Sequence, residues 1–233
     1  MNSGQDYLAE LNVDRDDFWH KNKDRVLARY VNGPRVLDLG CGLGSLSILL
    51  AKQGKDVVGI DDSEEYLEIA RRKSRGLPIR YVRMDFAEED FPDRQPFDTV
   101  LLSGVIEHIE DDSLFLTRIR PLLKEGGILV LLTSAYPWLY SAFDRAVGHC
   151  RRYSKRRLLE ALAKTGYKVR SVRYWDVLGL AALLLMKVFD RTILRPERLA
   201  NRTLDRILDR WFVLFENRML LPLGADLILV AEK

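Results

Sequence analysis

Five short runs rich in Val, Ile and Leu recur through the first 133 residues: RVLDL (35–39), KDVVGI (55–60), IRYVRM (79–84), FDTVLLS (97–103) and GILVLLT (127–133). Most lack the apolar–polar alternation of a half-exposed strand, so they read as strands buried on both faces. Segments of helical period separate them. SLSILLAKQG stops on Gly54. SEEYLEIARRKSRG opens on Ser63, carries acids in its first turn and bases in its last, and stops on Gly76; SLFLTRIRPLLKEGG closes the series. Strand and helix alternating in this way commit the chain to a parallel sheet with helices on both faces.

The pattern changes after residue 133. YSKRRLLEALAKTGY is a helix capped by Ser154 and stopped by Gly166, KVRSVRYW is a sixth strand and ADLILVAEK a seventh. Roughly fifty residues lie between the last two, far more than a hairpin needs. They contain the apolar run Val177–Phe189 and a helix around ANRTLDRILDRWFVLFENRML, with an apolar stripe set against arginines and aspartates. Ahead of the sheet, DDFWHKNKDRVLARYV reads as one more helix. The expected architecture is α/β: a Rossmann-like, seven-stranded, mostly parallel sheet with a helical insertion before the last strand. We divide the single domain, 1–233, into an N-terminal helical lid (1–34), a ligand-binding core (35–175), an insertion serving as substrate cap or interface (176–224) and the last strand (225–233).

The turn after the first strand, LGCGLGS, leaves its backbone bare at Gly40, Gly42 and Gly44. Glycines there accept positive φ and let a ligand approach main chain where a Cβ would collide. The N–H groups of the following helix favour a carboxylate or phosphate. Asp61 ends the second strand, where it can accept hydrogen bonds from ribose hydroxyls. A nicotinamide fingerprint, G-x-G-x-x-G, would need glycine at 45, which is Ser45. Asp38, just before the loop, would repel a pyrophosphate and attract a cation. The electrostatics favour S-adenosyl-L-methionine, which carries a sulfonium and an ammonium group, over a dinucleotide.

The motifs VLDLGCGLG, VVGIDDSEEYLEIARRK, VRMDFAEEDFP, FDTVLLSGVIEHI and LLKEGGILVLL then stand in the order and spacing of class I S-adenosylmethionine-dependent methyltransferases. The chain resembles that family closely over 33–133 and more loosely over 149–175. The resemblance implies that Gly40, Gly42 and Gly44 lie under the methionine part of the cofactor. By the same resemblance Asp38 reaches its ammonium group and Asp61 holds the ribose. Asp85 accepts from the adenine amino group, Phe86 offers backbone N–H and apolar contact, and Ser103 lies near the sulfonium. Some quinone-biosynthesis O-methyltransferases bind magnesium through the EH pair and a glutamate three residues before its Glu. That position is Gly104 here, so a hard oxygen ligand is missing and no metal is expected.

Methyl transfer to a hydroxyl benefits from a general base, and histidine suits neutral pH. Of the three histidines, His20 lies on the N-terminal helix, while His108 and His149 follow the fourth and fifth strands. Both are candidates for catalysis, and His108 is equally read as packing the cofactor side. In GHCRRYS, Arg151, Arg152 and Tyr153 are candidates to bind an anionic acceptor. The alternative is a structural loop whose arginines pair with the acidic stretch upstream. Ten acids against one base fall between Asp85 and Asp112, and nine Lys or Arg against one acid between His149 and Arg173.

The expected acceptor is a small or lipid-linked molecule, methylated at oxygen. Nucleic-acid methylation through the basic 149–173 segment and a non-catalytic nucleoside-binding module are the alternatives. The amino-group DNA methyltransferase tetrapeptide is absent, which disfavours nucleic acid. Cys41 and Cys150 form no disulfide framework, no signal-peptide core is present at the start, and Val177–Phe189 is too short to span a bilayer. These features point to the cytoplasm, with peripheral membrane contact and a monomer or homodimer left open.

Overall fold

The computed structural model describes residues 17–86, 89, 91, 95–188 and 202–233. Helix α1 (Phe18–Ala28) precedes β1 (Arg35–Leu39), α2 (Ser45–Lys52), β2 (Asp56–Asp61), α3 (Glu64–Lys73), β3 (Ile79–Arg83) and β4 (Phe97–Ser103). A short helical turn (Ile106–His108), α4 (Asp112–Ile119), β5 (Leu123–Ser134), α5 (Ala142–Ala146), α6 (Lys155–Lys164) and β6 (Lys168–Trp175) follow. The remainder is α7 (Val177–Val188), α8 (Arg202–Trp211), a wider π-type turn (Phe212–Glu216) and β7 (Asp226–Glu232).

The seven strands form one sheet in the order β3-β2-β1-β4-β5-β7-β6. The first five strands are mutually parallel, and β7 runs antiparallel between β5 and β6. Successive β1 residues show why the strands lack polar alternation. Leu37 and Leu39 enter a core with Phe115, Leu158 and Leu162, whereas Val36 enters the opposite core with Leu27, Leu50 and Phe212. Helices on both faces leave only the strand tips for polar work.

Local chemistry explains the helix ends. Ser63 Oγ accepts from the Tyr66 N–H and Ser154 Oγ from the Arg157 N–H, as N-caps. Gly54, Gly76 and Gly166 all have positive φ beyond their helices. Some bounds differ from the expected ones. The segment SLFLTRIRPLLKEGG is helical only to Ile119, because Pro121 follows and the chain turns into β5 at Leu123. The C-terminal helix is regular only to Trp211 before the π-type turn. Phe189 of the apolar run, Ala200 and Asn201 lie outside the described residues, as do Glu88, Asp90, Asp93 and Arg94 of the acidic stretch.

Candidate active site

At the tip of β1 the chain turns back onto β2: the N–H groups of Gly40 and Cys41 both donate to the Ile60 carbonyl. Gly40, Gly42 and Gly44 take φ of 69°, 54° and 77°. Their surroundings separate their roles. A Cβ on Gly40 would sit 2.5 Å from Val105 Cγ2, and one on Gly44 would sit 2.5 Å from Tyr81 Oη. A Cβ on Gly42 would meet nothing within 4 Å. Two glycines therefore let the loop pack, and the third turns its backbone toward open space. Gly44 also begins α2 with no side-chain cap, leaving N–H groups for an anion.

Two carboxylates flank this loop. Asp61 is buried and accepts from the N–H of Gly42 at 2.8 Å and of Ser63 at 3.1 Å. Burial raises its pKa despite those bonds. Asp38 is more deeply enclosed, with Ser47 Oγ donating to it at 2.7 Å. Burial pushes the Asp38 carboxyl up to about 7 against the Ser47 bond, with Asp24 nearby adding to the rise and Lys23 opposing it. A buried acid poised this way gains most from a cation. At the end of β4 the Ser103 hydroxyl is enclosed and has no hydrogen-bond partner. Asp85 is exposed after β3, its N–H donating to Glu89, and the Phe86 ring lies 5.9 Å from Phe115. These tips thus hold a buried anion, a second acid, an orphaned hydroxyl and an open stretch of main chain. A nucleoside bearing an ammonium and a carboxylate fits that set.

The acceptor side draws together residues far apart in sequence. The rings of His108 and His149 meet edge to face, 4.7 Å between centroids. Behind His149 stands Asp144, fully buried, with Oδ1 3.2 Å from His149 Nδ1 and 2.7 Å from Arg152 Nε. Ser141 donates to its other oxygen through both N–H and hydroxyl. Burial alone would raise the Asp144 pKa; the bonds from His149, Arg152 and Ser141 hold it well below the usual carboxylate range. An ionised Asp144 can only accept, so Nδ1 of His149 is the donor in that bond. Desolvation first, and His149 second, lower the pKa of His108.

Two other GHCRRYS residues, Arg152 and Tyr153, face inward. Arg152 is buried on Asp144, and Tyr153 is fully buried with its hydroxyl donating to Asp112 at 2.9 Å. Arg151 donates to Asp112 and to the Glu110 carbonyl, and Arg157 lies 3.6 Å from Asp112. The pairing of basic loop with acidic stretch thus runs largely through Asp112. The Glu107 carboxylate points into the sheet, accepting from the Thr133 hydroxyl at 2.8 Å. Among the described residues, no group of three or more His, Cys, Asp or Glu side chains is placed to hold a metal ion. His20 is taken up by Asp17, 2.6 Å away at the start of α1.

Residues 11–172 match the family described as a methyltransferase domain. The chain belongs to that family. Membership bears out the resemblance read from the motifs, the Rossmann-like α/β class and S-adenosyl-L-methionine as cofactor. A ubiquinone biosynthesis O-methyltransferase of Rhizobium rhizogenes is 40% identical over 113 residues, 48% of this chain and 45% of that relative. The methyltransferase domain thus matches less than half the length of that relative. Two solved structures share its fold. An S-adenosylmethionine-dependent methyltransferase from Mesorhizobium loti has TM-score 0.65 and 20% identity, covering 93% of this chain and all of the other. Phosphoethanolamine N-methyltransferase 2 of Haemonchus contortus, in complex with S-adenosyl-L-methionine, has TM-score 0.62 and 21% identity over 92% of this chain and 52% of the other.

Sequence reasoning missed two residues of the methyltransferase domain. Asp144 sits five positions before His149 on a short helix, a spacing that carries no motif. Lys23 of α1 lies 3.8 Å from Asp24 and 5.6 Å from the centre of the Trp19 ring, close enough to oppose the rise at Asp38. Only its electrostatic link to Asp38 of β1 distinguishes it from an ordinary helix lysine.

Proposed function

We propose that the methyltransferase domain methylates a hydroxyl oxygen of a small-molecule acceptor, with His149 as the general base. The observation that carries this reading is the buried Asp144, hydrogen-bonded to His149 Nδ1 beside His108. Bound S-adenosyl-L-methionine supplies an electrophilic methyl group on a sulfonium. Asp38 would hold its ammonium group, Asp61 its ribose hydroxyls and Asp85 its adenine amino group. The main chain at Gly42 and the uncapped start of α2 would take its carboxylate. Ser103 would donate its unpartnered hydroxyl beside the sulfonium.

The remaining work is alignment and one proton. Asp144 fixes the tautomer and ring plane of His149, so that Nε2 takes the hydroxyl proton as the acceptor oxygen gains its new carbon bond. His108, whose pKa desolvation lowers, stands against His149 there. Arg151, Arg152 and Tyr153 act in this reading as positioning residues that hold the 148–153 segment. Supporting an oxygen acceptor is the name of the Rhizobium relative, an O-methyltransferase. Cys41 and Cys150, both free thiols, suit the reducing compartment that the reading places the enzyme in.

The test is transfer of labelled methyl from S-adenosylmethionine to a panel of phenols and catechols by wild type and His149→Gln. Expected is a drop in kcat of about 10²–10⁴ with cofactor affinity unchanged. An unaltered kcat would remove His149 from the chemistry, and no transfer to any hydroxyl acceptor would defeat the oxygen assignment.

A further inference from the structure

We propose that the outer face of the insertion seats the methyltransferase domain on an anionic lipid bilayer. Helix α8 carries two apolar stripes. The inner one, Leu204, Leu208 and Phe212, is half-buried to buried, and Phe212 packs 5.7 Å from Phe18. Asn22 and Arg25 of α1 both donate to Asp209, fixing which side faces the core. The outer stripe faces solvent: Ile207 is 59% exposed, Leu214 52% and Phe215 45%, with Trp211 between them. The face continues past the π-type turn through Met219 and Leu220, which is 82% exposed. Single exposed leucines need no explanation, but a contiguous outer stripe beside a satisfied inner one does.

The surrounding charge identifies the occupant. Arg206, Arg210 and Arg218 are exposed, and none has an ion-pair partner among the described residues. Of the acids of the same segment, Asp209 serves Asn22 and Arg25 and buried Glu216 serves Trp211 and the Val177 N–H, which leaves Asp205 alone against the three arginines. The face is therefore apolar at its centre and cationic at its rim. A two-fold contact between copies would set these arginines near their own mates. Anionic headgroups over acyl chains match both features. No helix among the described residues is long and apolar enough to cross a membrane.

Position adds a third argument. Ser134, Asp226 and Trp175 share one register row, so β5 and β6 end, and β7 begins, at one edge of the sheet. The insertion leaves and rejoins the sheet there, beside the candidate site. Exposed Leu184 and Leu185 of α7 emerge at that edge, as does Trp138, whose ring lies 4.7 Å from Lys187 Nζ. A bilayer held against the insertion would present a lipid-linked acceptor to the strand tips.

Flotation of the full chain with phosphatidylcholine vesicles, and with phosphatidylcholine–phosphatidylglycerol vesicles, tests the proposal without turnover, so it is independent of the acceptor reading. Expected is binding to the mixed vesicles, weakened by salt. Leu214→Ser/Phe215→Ser should lower it about tenfold or more, and Arg206→Glu/Arg210→Glu should abolish the preference for anionic lipid. Cofactor titration and thermal unfolding of the same variants establish that they fold. Absence of vesicle binding, or binding that the apolar variant leaves unchanged, would overturn the proposal. So would a self-association, seen by sedimentation without lipid, that the apolar variant abolishes.

Discussion

The parallel half of the sheet, residues 35–134, and the antiparallel edge with its insertion, 135–232, bury polar groups in opposite ways. In the parallel half Asp38 and Asp61 sit at strand tips and bond to partners on the same tip or the neighbouring one: Ser47, Gly42 and Ser63. At the other edge Asp144 is also served locally, by Ser141, His149 and Arg152, but other buried polar groups reach across the molecule. Asp176 accepts from the Trp19 indole, and Asn217, placed after the π-type turn, joins Asn22 and Trp175. The proposed cofactor side is thus built at two neighbouring strand tips, and the proposed acceptor side where two loops bring His108 against His149. Damage to the first should change binding, and damage to the second should change turnover or assembly.

The sharpest test of that division is Asp144→Asn. It keeps the shape but removes the charge that orients His149 and pairs with Arg152, so kcat should fall by about 10²–10⁴ while calorimetric affinity for the cofactor stays level. A large loss of affinity would erase the distinction between the halves. In the other direction, Asp61→Ala strips the Gly42 and Ser63 N–H groups of a charged acceptor. Affinity should drop about ten- to a hundredfold, with kcat at saturating cofactor much less affected.

The Asp38 carboxyl, pushed up to about 7, gives two smaller effects. A cationic ammonium needs the ionised form, so cofactor affinity should weaken about tenfold from pH 8 to pH 6. Asp38→Asn should flatten that profile. The stability effect has the opposite sense. Because the folded pKa lies above the unfolded value, the native state holds an extra proton between about 4 and 7. Asp38 therefore lends stability at low pH that is lost as pH rises through 7. Without cofactor, Asp38→Asn should raise Tm at pH 8 and do little at pH 4, as read by calorimetry.

What could be read from the amino acids follows the same boundary. Strands β1 to β4, the caps at Ser63 and Ser154, and the spacing from Gly40 to Asp61 depend on neighbours in sequence, and all stand where the pattern placed them. The start of β5 was obscured because LLKEGG has helical residues, and only Pro121 and pairing with β4 decide against a helix. His108 and His149 were each visible, but not their meeting. That depends on the Cys150 N–H bonding to the Glu107 carbonyl across the two loops. Arg152 and Tyr153 are read from the sequence as candidates to bind an anionic acceptor. They are drawn inward because Tyr153 forms a parallel bridge with Ala135 just past β5, and its N–H donates to the Ser134 carbonyl.

The position of β7 has a consequence for biosynthesis. It is the last strand in chain order, yet it lies between β5 and β6, and it alone joins β6 to the sheet. A nascent polypeptide whose ribosome has not passed residue 226 can assemble the nucleoside-binding tips, but Lys168–Trp175 has no neighbour to pair with. Closure of the sheet therefore waits until residues 226–232 have been made. Until then both β5 and β6 offer open edges to chaperones and to one another's copies.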